Sequence, residues 1–404
     1  MQVGKDGYFR LTYCSNIHPG NGWGEVEANL RRYAPPLKAR LAPDVPFGLG
    51  LRLSDRESRE LLEGDRLARF QEFLAEHDLY VFLINGFPYG PFHNQTVKEA
   101  VFAPDWREEE RVDYTLRLAE ILSRLLPAGV DGGISTSPLS YKAWVDSSDP
   151  AVWEQVTRNV VRVAAALGRL KRERGTVIHL DIEPEPDGLV ETSAELARFF
   201  AEWLLPVGAP RLAEALGVSI EQAREELAEH VRVCWDTCHM SVAYERPAEV
   251  LERYEKAGLR VGRVQVSAAL KVATPGDPAQ RAALQQALEP LVEPTYLHQV
   301  RQRAQDGSLR AYPDLDRALP ALHDPEAVEW RTHFHVPIFV ERYGAFCSTQ
   351  DEIQQVLTLL SARRFTPHLE IETYTWQVLP PVLKRDLVDS IEREYGWVRD
   401  VFPG

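Results

Sequence analysis

Acidic, amide and imidazole side chains recur at two-residue spacing in a few short β-rich runs of this 404-residue chain. In TVIHLDIEPEPDG (176–188), His179, Asp181 and Glu183 alternate, and Glu185 follows. An extended backbone puts the first three on one face. VRVCWDTCH (231–239) supplies Asp236 and then His239, and VGRVQVS (261–267) supplies Gln265 and Ser267. THFHVPIFV (332–340) sets His333 and His335 on one face. HLEIETYTW (368–376) sets Glu370 and Glu372 on one face, followed by Tyr374 and Trp376.

Several carboxylates cannot be buried together without a cation, a positive side chain or protonation. Glu183, Asp236 and Glu372, joined by one nitrogen or amide, make an oxygen-rich set. Such a set suits Mg²⁺, Mn²⁺, Zn²⁺ or Fe²⁺ better than a thiolate zinc site does. Either His335 or Gln265 completes it. His239, three residues past Asp236, is a metal ligand, a substrate hydrogen-bonder, a proton shuttle or simply a loop-capping residue.

Two further segments carry polar and aromatic groups. TYCSNIHPGNGW (12–23) offers Asn16, His18 and Trp23. NGFPYGPFHNQTVKE (85–99) offers Asn85, Tyr89, His93 and Lys98, a composition that fits a substrate wall. No G-x-S-x-G elbow supports a serine hydrolase.

The elements that must position these groups form a regular alternation. Eight β-rich runs (8–16, 47–54, 79–86, 131–137, 176–183, 231–237, 261–267 and 368–373) are separated by amphipathic segments. The spacing predicts helices over 55–77, 108–126, 150–172 and 247–258, one capped near Ser348 and Asp351, and a last one over roughly 379–399. Strands alternating with helices mean a parallel sheet, and eight units predict a closed (β/α)8 barrel, one domain over 1–404. No G-x-G-x-x-G follows the first run, so a dinucleotide fold lacks its main support.

Catalytic groups of such barrels stand at the C-terminal ends of the strands, where all the runs above end in polar residues. Residues 268–331, with seven prolines, are too long for a βα loop of ~2–6 residues. They are expected to form an insertion after strand seven, over the barrel mouth, as a lid or as decoration.

A net charge of −14, from 60 acidic and 46 basic residues, disfavours duplex nucleic acid as a partner. Four scattered cysteines fit reduced thiols in a cytoplasmic protein. The first residues lack an apolar signal region, and no apolar run approaches the ~20 residues of a membrane span.

Glu closing strand five, D-x-x-H at strand six and Glu closing strand eight together resemble the xylose-isomerase-like TIM-barrel superfamily. That group includes sugar isomerases, ketose epimerases and the endonuclease IV type of repair enzyme. More specifically, LTYCSNIHPGNGW, LDIEPEPDG, CWDTCH, VQVSAAL, HFHVPIF and LEIETYTW resemble EboE, a bacterial family associated with metabolite traffic. The superfamily resemblance implies a divalent metal on Glu183, Asp236 and Glu372. It also implies that Glu183 and Glu372 move a proton across C2 or C3 of a sugar while the metal polarises the carbonyl.

Epimerases usually add a strand-seven histidine. Gln265 stands there in this chain, and His335 is the expected substitute, with His239 beside the reacting groups. Asn16, His18, Asn85, His93, Gln265 and Trp376 are the expected substrate contacts. The EboE resemblance implies a gene cluster that helps move a small-molecule precursor out of the cytoplasm, with membrane partners. A non-catalytic metabolite carrier on the same barrel is the alternative. An endonuclease-IV-like phosphodiesterase is disfavoured by the missing strand-seven histidine and by the charge.

Overall fold

Each of the eight β-rich runs forms a strand: Phe9–Tyr13, Phe47–Arg52, Leu79–Asn85, Gly132–Thr136, Ile178–Ile182, Val231–Asp236, Val261–Val266 and His368–Ile371. They are called strands one to eight below. The computed structural model describes residues 1–4, 6–93, 96–376 and 383–403. Strands two to eight pair in parallel in sequence order, and strand eight pairs in parallel with strand one. A parallel bridge between Cys14 and Gly50 joins strands one and two and closes the (β/α)8 barrel. Gly50 permits that closure, because a Cβ there would lie 2.9 Å from the Tyr13 carbonyl oxygen.

The helices follow their start and stop signals. Asp149 caps Pro150–Arg174, which ends at left-handed Gly175. The predicted segment 55–77 is two helices, Asp55–Leu62 and Arg66–Glu76. Gly64, at φ +59°, lies in the break between them. Helices also occupy Glu109–Leu125 and Pro247–Lys256. Thr349, not Ser348, directly precedes Gln350–Arg363; the Ser348 hydroxyl donates to Val340 O and accepts the Gln350 N–H at 3.4 Å. The last helix is Leu387–Val401, capped by Asp386; the expected residues 379–382 lie outside the described residues. No helix among the described residues is long and apolar enough to cross a membrane.

The barrel interior is ionic along its axis. Arg263, on strand seven, donates from Nε to Asp181 Oδ2 (3.1 Å), from Nη1 to Glu370 Oε2 (2.9 Å) and from Nη2 to the Ile84 carbonyl (3.1 Å). All three charged side chains are fully buried. Burial lowers the Arg263 pKa, but Glu370 and Asp181 outweigh it and hold the guanidinium above its usual value. Glycines on strands four and seven make the room: a Cβ on Gly133 or Gly262 would collide with Asp181 or His179.

A second, antiparallel sheet follows strand seven. Its order is Leu309–Tyr312, Val300–Ala304, Ala327–Val336, Ala268–Ala273, Phe346–Ser348 and Arg342–Tyr343, with the helix Pro278–Leu288. The ladder between Ala268–Ala273 and Ala327–Val336 carries this sheet past residue 331, to Ser348. It touches the C-terminal loops of the barrel. Arg301 pairs with Glu191 and Asp187, and Lys98 pairs with Asp314.

Candidate active site

Strand six ends at Asp236, and a one-turn helix, Thr237–Val242, starts there. Asp236 Oδ1 accepts the backbone N–H of His239 (2.9 Å) and the Ser267 hydroxyl (2.7 Å). That fixes the carboxylate and leaves Oδ2 without a hydrogen-bond partner among the described residues. The antiparallel strand Ala327–Val336 delivers His333 and His335 to the same place.

The three imidazoles share one arrangement. His239 Nδ1 faces the Pro184 carbonyl (3.2 Å), His333 Nδ1 faces Gln299 Oε1 (2.7 Å), and His335 Nδ1 faces the Glu372 carbonyl (3.0 Å). An acceptor at Nδ1 places the proton there and leaves a lone pair on Nε2. Those three lone pairs converge. His239 Nε2 lies 3.2 Å from His333 Nε2 and 3.4 Å from His335 Nε2. Asp236 Oδ2 is 3.9 Å from His335 Nε2.

Burial, with repulsion from the neighbouring histidines, pushes His333 well below its usual value. Burial also lowers His239, and it lowers His335 to about 4 against the pull of Asp236. Neutral rings with opposed lone pairs repel unless a cation sits between them. Ligands held at about 2.0–2.1 Å by a tetrahedral ion lie about 3.3 Å apart, close to the 3.2 and 3.4 Å that separate His239 Nε2 from the other two imidazoles. Asp236, His239 and His335, whose ligand atoms all lie within 4.8 Å of one another, fit a divalent ion, and His333 Nε2, 3.2 Å from His239 Nε2, is placed to join them. Three nitrogens and one carboxylate suit Zn²⁺ or Fe²⁺ better than Mg²⁺. Each Nδ1 hydrogen bond is the outer partner that orients such a ligand.

The glutamates take different places. Glu372 Oε1 accepts from Asn16 Nδ2 and Asn85 Nδ2, each at 2.7 Å, and Oε2 accepts from Gln265 Nε2 at 2.5 Å. Three amides thus clamp one carboxylate. Glu183 Oε1 lies 3.5 Å from His239 Nδ1, and its Oε2 has no hydrogen-bond partner among the described residues. Burial, then mutual repulsion among these acids, raises Glu183 and Glu372 well above the usual carboxylate range. Glu185 accepts from Gln299 Nε2 (3.3 Å). Above the cluster a small cavity is walled by Phe87, Phe92 and Tyr374, and Glu183, Glu372 and the three histidines line it.

The structure brings Glu183, Asp236, His239, His335 and Glu372 together, and adds His333. Asn16, Asn85 and Gln265 sit at the mouth, with their amide N–H groups on Glu372. His93 also sits there, bonded to the Asn16 carbonyl and to the Tyr296 hydroxyl. His18 and Trp376 stand apart. His18 stacks on Tyr33 (4.5 Å between centroids) and bonds to Tyr13 Oη, and Trp376 donates to the Thr373 carbonyl. Gln299 and the Tyr374 ring, stacked on His335 at 4.6 Å, carried no sequence signal of their roles. Both roles depend on contacts between distant segments.

No family model matches the chain. No curated protein matches it either. Among solved structures it is similar to the IolI protein with a bound zinc atom, at 12% identity and TM-score 0.48, covering 98% of this chain and 99% of that one. It is similar to a D-tagatose 3-epimerase-like protein at 10% identity and TM-score 0.47, covering 97% and 98%. A xylose isomerase domain protein from Planctomyces limnophilus gives 14% identity and TM-score 0.47, covering 97% of both chains. Similarity this low carries nothing about chemistry. The α/β barrel is defined by its own strand order and register, with a mouth of histidines and carboxylates.

Proposed function

We propose that this chain is a divalent-metal-dependent enzyme with sugar isomerase- or epimerase-like chemistry on a small carbonyl or polyol metabolite. The observation that carries this reading is the convergence of three Nε2 lone pairs and Asp236 Oδ2 beneath a cavity that Glu183 lines. A divalent ion held there supplies Lewis acidity toward a substrate carbonyl or hydroxyl oxygen. Glu183, with one oxygen free of hydrogen bonds, accepts a proton from the carbon beside the carbonyl and returns it. Glu372, clamped by Asn16, Asn85 and Gln265, is held in one orientation as its partner across the substrate. His239 serves here as a ligand. The apolar wall of Phe87 and Phe92 covers the reacting carbon.

The EboE-like motifs add a setting to this proposal. The reaction is a cytoplasmic step on a precursor that membrane partners then carry. The experiment is solvent exchange: zinc-, manganese- or iron-loaded protein is incubated in D₂O with a panel of small ketoses, aldoses and polyols. Deuterium is expected at the carbon next to the carbonyl of at least one compound, and chelation is expected to stop it. Saturable binding of that compound without exchange would overturn catalysis in favour of carriage.

A further inference from the structure

We propose that the opposite end of the barrel holds a second divalent-cation site, formed by Asp131, His179 and His368. His179 is the second residue of strand five and His368 the first of strand eight, so both point inward at the N-terminal end of the barrel. Both are fully buried, whereas the Asp131 side chain, just before strand four, is 29% exposed. The mouth site at the other end contains none of these residues.

His179 Nδ1 faces Asp181 Oδ1 at 2.5 Å. That carboxylate places the ring proton on Nδ1 and raises the basicity of Nε2, as the outer partner of a metal-bound histidine does. His179 Nε2 has no hydrogen-bond partner among the described residues, and neither ring nitrogen of His368 has one. A buried imidazole nitrogen left without a full hydrogen bond is costly, and the two Nε2 atoms have only ion-pair contacts with Asp131. Both rings are aimed at Asp131. His368 Nε2 lies 3.3 Å from Asp131 Oδ1, and His179 Nε2 lies 3.7 Å from Oδ2. The two rings stack at 5.8 Å and 17°. One oxygen and two nitrogens, all within 4.8 Å of one another, can close on one ion.

The surrounding charge permits a cation. Asp131, Asp181 and Glu370 are opposed by Arg232, which bonds Asp131 Oδ2 at 3.2 Å, and by Arg263. One negative charge remains in excess. Arg232 engages Oδ2, so Oδ1 is the oxygen left for the ion. A surface depression lined by Pro127, Gly129, Asp131 and Arg174 opens over the site and gives access for the ion and a water ligand. Two imidazoles, a carboxylate and water make a Zn²⁺-type set.

The test is zinc stoichiometry on the full chain after chelator stripping, read by competition with a chromophoric chelator. Cobalt absorption is the second readout. Wild type is expected to bind two ions. His239→Gln/His335→Gln, which removes the mouth ligands, is expected to retain one. Adding His368→Gln, or the milder Asp131→Asn at the partly exposed side, is expected to take that ion away while the far-ultraviolet circular dichroism stays unchanged. A folded mouth variant that binds no zinc or cobalt overturns the base site, and so does one whose remaining ion survives both base substitutions. Failure of the mouth site alone would appear differently, as one ion lost with Asp131→Asn and untouched by the mouth substitutions.

Discussion

Replacing Arg263 with leucine is expected to cost about 3–5 kcal/mol of stability, read as a lowered urea midpoint. Arg263 is the cation that both Asp181 and Glu370 face, and none of the three side chains reaches solvent. Removing it strands two carboxylates in the barrel axis and leaves the Ile84 carbonyl without this donor. Burial already pushes Glu370 up while Arg263 pulls it down, so loss of the arginine leaves only the unfavourable part. A loss of that size is a large fraction of a typical domain's stability of about 5–15 kcal/mol. Adding Asp181→Asn and Glu370→Gln to the leucine variant is expected to recover part of it, because no unpaired charge then remains. An unchanged midpoint in the single variant would mean that the ion chain contributes nothing to the barrel.

Glu183→Gln is expected to lower the rate of solvent exchange into substrate by about 10²–10⁴-fold, the usual worth of a positioned general base. Bound metal is expected to stay at the wild-type level, since the proposed ligands are the three imidazoles and Asp236. Glutamine keeps the size of the side chain and removes the proton acceptor. A variant that exchanges at the wild-type rate would remove Glu183 from the proton transfer. One that loses metal as well would make Glu183 a ligand instead.

The barrel was legible in the sequence because two independent periodicities alternate along the chain. All eight strands lie inside the runs that the two-residue pattern marks, and the helix starts at Pro150 and Pro247 follow their signals. The break at Gly64, and the place of Thr349 rather than Ser348 directly before its helix, were not legible. Residues 55–77 keep helical spacing on both sides of the glycine, and Ser348 is taken up by Val340 O across a turn.

At the site, strand-end position identified which side chains would meet, but not which atoms would pair. Asn16, Asn85 and Gln265 read equally well as substrate contacts and as what the structure shows, donors to Glu372. His333 and His335 were visible as a pair. That both Nε2 atoms meet His239 depends on a second sheet whose pairing brings residues 94 and 96 positions apart into contact. The Nδ1 partners of these rings include backbone carbonyls, which no side-chain pattern can reveal.

The most direct measurement is the metal content of protein purified without chelators or nickel affinity, for wild type and for Asp236→Asn, His239→Gln and His335→Gln. The predicted result is at least one divalent ion per wild-type chain and one fewer in each variant, with a matching loss of uptake when Zn²⁺ is added back. Variants that hold as much metal as wild type would contradict a metal centre at the barrel mouth, as would a wild type that takes up none.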